Sequence, residues 1–89
     1  MDLNFDGMTY DELMEFWKKA NSVRPIAFAR ELFPDRPRGY VATTRDLGNY
    51  ASNKATAVGL RLQGRIQNAL QYEGICDRIY LGLPSYATW

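Results

Sequence analysis

Apolar residues recur along this chain at intervals of three and four, the spacing of one face of an α-helix, and no segment shows the alternation of a half-buried strand. The clearest run begins at Thr9-Tyr10-Asp11-Glu12, which has the form of a capping box: the Thr9 hydroxyl accepts from the Glu12 amide, and the Glu12 carboxylate reaches back to the Thr9 amide. Met8 and Leu13 stand where a hydrophobic staple forms. From Tyr10 to Ala20, the residues Tyr10, Leu13, Met14, Phe16, Trp17 and Ala20 share one side, and Asp11, Glu12, Glu15, Lys18 and Lys19 share the other. A second helix over 23–33, capped by Ser22 with Pro25 in its first turn, would bury Ile26, Phe28, Ala29, Leu32 and Phe33. Pro34-Asp35-Arg36-Pro37-Arg38-Gly39 cannot continue it, because two prolines lack amide donors and Gly39 favours a turn.

The helical period returns at Thr44. Leu47, Ala51, Ala55, Val58 and Leu62 line one face over 44–62, with Gly48 and Gly59 at its border. A last helix over 65–82 presents Ile66, Ala69, Leu70, Tyr72, Cys76, Ile79 and Tyr80, with Leu83 just beyond. The period alone also allows one rod from Thr44 to Leu83, about 60 Å long, which could not bury its own face in a monomer. Gly64 is the natural breaking point, since glycine is costly within a helix and cheap in a turn. The expectation is an all-α bundle of about four helices in antiparallel hairpins, a single helical domain over 1–89. Leu83-Pro84 closes the last helix, and the tail to Trp89 folds its tryptophan back on the body.

Composition agrees with a globular domain: 46% of the 89 residues are hydrophobic and 24% charged. Histidine is absent and Cys76 is the lone cysteine, so a zinc site of three or four Cys and His ligands, or a nucleophile activated by imidazole, cannot be built from one chain. No cofactor is implied. The acidic start, with Asp2 and Asp6, is unlike a secretory signal, and no uncharged apolar run approaches the roughly 20 residues that span a bilayer. A cytoplasmic protein with no membrane segment is expected.

Net charge is +1, unevenly spread. Residues 1–17 carry five carboxylates and no basic residue, whereas 18–65 carry ten Lys or Arg against Glu31, Asp35 and Asp46. Within the basic stretch, Tyr50, Lys54, Arg61 and Arg65 fall within about 60° of one another on a continuous helix, and Arg36, Arg38 and Tyr40 in the preceding loop could extend the patch. Lys and Arg contact phosphates while Tyr stacks on bases, so Arg36, Arg38, Tyr50, Lys54, Arg61 and Arg65 are the candidate nucleic-acid or partner-binding set. The alternative is a solvated face bridged to the acidic first helix. A helix-turn-helix over Ile26 to Ala57 fits poorly, because the loop from Pro34 to Gly39 exceeds that motif's turn. Glu73 lies inside the last helix's apolar arc, with Asp77 at its edge; it must find a cation such as Arg30 or Arg45, or else serve as a general acid or base.

The stretch from Ala57 to Pro84 resembles one tetratricopeptide hairpin. Gly64, Ile66 and Ala69 match its G-x-[YI]-x-x-A spacing, and Cys76 takes a later small position. Asn53 replaces a large aromatic of that family, Thr56-Ala57 replaces Leu-Gly, and Pro84 falls late. Covering about a third of the chain, where repeat folds stack at least about three units, the likeness implies a helical hairpin rather than a repeat protein. The run Tyr72-Glu73, Ile75 to Tyr80 and Leu83 to Trp89 is similar to small uncharacterised bacteriophage proteins, a likeness that implies an origin and no residue role.

The sequence therefore points to a non-enzymatic helical module acting through protein association, with a nucleic-acid-binding module as the alternative. A homodimer, or a monomer that waits for a helical partner, is expected from the small-residue face of Gly48, Ala55 and Gly59, together with rings in excess of what so small a core can hold.

Overall fold

The computed structural model describes residues 3–22, 25–35 and 40–89. Four α-helices follow in order, α1 (Tyr10–Ala20), α2 (Pro25–Leu32), α3 (Tyr40–Leu62) and α4 (Ile66–Leu81), and no strand occurs among the described residues. One-turn 3-10 helices at Phe5–Gly7 and Ser85–Ala87 flank the set. The chain is a small all-α bundle. α3 is its axis, against which α1, α2 and α4 each pack.

α1 starts as its residues dictate. The Thr9 hydroxyl accepts from the Glu12 amide at 3.2 Å, and Glu12 accepts from the Thr9 amide at 3.0 Å. Leu13, Phe16 and Ala20 are buried, Met14 and Trp17 half-buried, and Tyr10 is exposed. α2 buries Ala29 and, just past its end, Phe33, while Ile26, expected inside, is exposed. The proposed Ser22 cap adjoins residues 23 and 24, which lie outside the described set, as do Arg36 and Arg38.

α3 begins at Tyr40, one turn before the expected Thr44. Tyr40, Thr43, Thr44 and Leu47 follow helical spacing, and two threonines hid an inward face: Thr43 and Thr44 are both buried. The Tyr40 ring lies 5.7 Å from Phe33 and 6.4 Å from Tyr86, centroid to centroid, which anchors that first turn.

The break between α3 and α4 falls at Gly64, where φ is +76°. Arg65 N–H donates to Leu60 O at 2.9 Å and Gly64 N–H to Arg61 O at 3.0 Å, the two bonds of a Schellman stop. The single long rod is thereby excluded.

The small-residue face of α3 is covered within the chain. A Cβ at Gly48 would come 2.6 Å from Ala20 Cβ, and the Tyr10 ring lies 3.9 Å from the corresponding point at Gly59. α1 thus occupies the surface at which a second copy was expected, and that docking mode is corrected. Because α1 reaches only as far as Gly59, the last turn of α3 runs past it. Leu62, assigned by its period to the buried stripe, is 83% exposed for that reason.

Both termini complete the core. Phe5 is 1% exposed, with its ring 4.9 Å from Phe16, 5.2 Å from Tyr50 and 5.0 Å from Trp89. Trp89 folds back as expected, with ring centroids 4.8 Å from Tyr50 and 4.7 Å from Tyr80, and the Tyr80 hydroxyl donates to its carbonyl at 2.6 Å.

Candidate functional site

The basic and aromatic stripe is taken apart by packing. Tyr50 is 7% exposed and lies among Phe5, Trp89 and the Cys76 thiol, which is 3.6 Å from the Tyr50 carbonyl. Burial pushes its phenol up to about 12, with nearby Cys76 and Asp6 adding to the rise. A ring so placed cannot stack on a base, which corrects the role foreseen for it. The helical angle was sound. What it could not convey is that α4 and the N-terminal segment close over that side of α3.

The cations of the stripe are engaged. Lys54, half-buried, meets Asp6 at 3.2 Å, an acidic residue of the N-terminal segment. Arg61 holds Glu73 of α4 through two hydrogen bonds, Nε to Oε2 and Nη2 to Oε1, the latter 2.8 Å. Arg65 stands beyond the end of α3, as the residue preceding α4. With the Asn68 amide oxygen turned toward it, Arg65 donates from Nη2 at 3.0 Å and from Nε at 3.3 Å. The fold thus brings Lys54 and Arg61 to the α3 surface facing α4 and places Arg65 at the turn.

Glu73 has its cation in Arg61 rather than in Arg30 or Arg45. The guanidinium bonds hold its carboxyl below the usual range against the opposing pull of desolvation. A general acid needs the reverse shift. Cys76 is buried, and desolvation pushes its thiol up to about 11 despite the nearby Lys54. That is the environment of an inert core cysteine rather than a nucleophile. No group of three or more His, Cys, Asp or Glu able to hold a metal ion occurs among the described residues.

The feature the period misassigned is the outer side of α4. Ala69 and Cys76 are buried against α3, and Ile75, Ile79 and Tyr80 are half-buried. Ile66 is 43% exposed, Leu70 49% and Leu81 82%. A signal was present: the apolar residues of this helix spread over about two thirds of its circumference, more than one neighbouring helix covers. Among the described residues, no helix is long and apolar enough to cross a membrane. No family model, curated protein or solved structure matches this chain.

Proposed function

We propose that the chain is a non-enzymatic helical module that acts by binding another protein. The observation that carries this reading is the set of large aliphatic side chains left in solvent on the α3–α4 hairpin: Leu62, Ile66, Leu70 and Leu81. Fully covering one such side chain is worth about 1.5–3 kcal/mol, and four on one hairpin favour a partner that removes them from water. The alternative, nucleic-acid binding, is less well supported, since a phosphate must draw Lys54 from Asp6 and Arg61 from Glu73. We place the module in the cytoplasm, where its single thiol stays reduced.

A photo-crosslinking residue at Leu70, with a second at exposed Glu31 on α2 as control, tests the reading in the native host. Covalent capture of protein from position 70, undiminished at about 1 M salt where surface charges are screened, is the expected result. Capture absent at position 70, with DNA or RNA binding that weakens steeply as salt rises, would replace it with the nucleic-acid reading.

A further inference from the structure

The outer side of α4 carries a row that the packing of the described residues does not account for. Ile66, Leu70, Gly74, Asp77 and Leu81 follow at intervals of four, four, three and four, within an arc of about 80°. This is the seam spacing by which two helices pair. Gly74 sits in the middle of the helix, and a Cβ there would meet nothing within 4 Å. Glycine weakens a helix interior relative to alanine, so its place is not explained by the packing of the monomer.

The charges beside Gly74 are self-complementary. Arg78 turns back along α4 and donates from Nε to the Gly74 carbonyl at 3.4 Å, so its guanidinium lies at the level of Gly74. Among the described residues, neither Asp77 nor Arg78 takes part in an ion pair, those that form being Lys54 with Asp6 and Arg61 with Glu73. Both are exposed.

We infer that a second copy of this chain docks on the row, α4 against α4, antiparallel about a twofold axis level with the peptide joining Ile75 to Cys76. The inference rests on the protein-association reading above and names its partner. In this register Leu70 faces Leu81 of the second copy, and Gly74 faces Asp77 of the second copy. The Arg78 guanidinium, already held over Gly74, meets that carboxylate, and the missing Cβ leaves room for the pair. Symmetry forms the contact twice, because an isologous interface presents one patch to itself. The leucines contribute affinity, and the paired charges set direction and register.

Sedimentation equilibrium of the purified full chain tests this, up to on the order of 500 μM so that mass action favours assembly. A dimer mass is expected. Asp77→Arg and Arg78→Asp each set like charges opposite one another and raise the dissociation constant at least about tenfold, or ~1.4 kcal/mol. The double variant Asp77→Arg with Arg78→Asp restores the pair with its polarity exchanged, and dimerisation returns to within about threefold of the original. Circular dichroism verifies that each variant keeps its helices. A wild-type monomer throughout, or a double variant no better than the singles, overturns the inference. If position 70 captures a different protein in the host while the purified chain stays monomeric, self-docking fails and the association reading stands.

Discussion

At the scale of single residues, burial rather than neighbouring charge controls the chemistry of the interior. Cys76 and Tyr50 are both held in their neutral forms, raised from 9.0 to about 11 and from 10.0 to about 12. A group whose folded value is raised contributes stability that is complete below its unfolded value and lost as pH climbs through the folded one. The thermal midpoint should therefore hold steady from neutral pH up to 9.0, where Cys76 begins to titrate in the unfolded chain, and fall progressively toward about 12. Cys76→Ala should delay the onset to near 10.0, leaving the Tyr50 part. Identical onsets in the two proteins would show that the thiol does not drive the decline. Glu73 acts in the opposite sense: its lowered value means that its pairing with Arg61 stabilises at neutral pH and is lost as pH falls through that lowered value.

At the scale of elements, the capping box at Thr9 and the glycine at Gly64 were legible because each acts through its own backbone within four residues. The Gly64 stop is also the most direct to test. Nothing lies within 4 Å of its absent Cβ, so a side chain there meets only the strain of φ +76°. Gly64→Ala should lower stability by about 1–2 kcal/mol, the penalty of a left-handed conformation for an L residue, read as a shift of the urea midpoint with unchanged slope. An unshifted midpoint would mean that the turn can be remade without the glycine. The N-terminus of α3 was not legible, since its inward face is made of Thr43 and Thr44 and its anchor, Tyr40, packs on the rings of Phe33, just past α2, and Tyr86 in the tail. The period places Leu62, Ile66 and Leu70 inward for the converse reason: it reports which residues share a side, and a neighbouring helix must be present to cover it.

For the whole molecule, the segments that precede α1 and follow α4 meet at Phe5 and Trp89, and the rings of Phe16, Tyr50 and Tyr80 surround them. Phe5 lies in a segment too short to show a period, yet it is among the largest fully buried side chains. Phe5→Ala should cost about 3–5 kcal/mol. Domain stabilities total only about 5–15 kcal/mol, so the variant should melt at least about 12 °C below the parent in a calorimeter, with Phe5→Leu milder. A loss below about 1 kcal/mol, the size of an ordinary surface substitution, would place the centre of the core elsewhere.

The amino-acid pattern by itself determined the all-α class, the capping box of α1, the stop at Gly64 and the return of Trp89 to the body. Each of these follows from local hydrogen bonding or from the cost of leaving a large ring in water. Only the tertiary structure decided the fate of the candidate site. Whether Tyr50 faces a ligand or Phe5, and whether Lys54 and Arg61 meet phosphates or Asp6 and Glu73, depends on elements distant in sequence that close over α3. It also decided which apolar side of α4 stays open. One helix can cover only part of another's circumference, and α3 covers the side of Ala69 and Cys76, leaving Leu70, Gly74 and Leu81 outward.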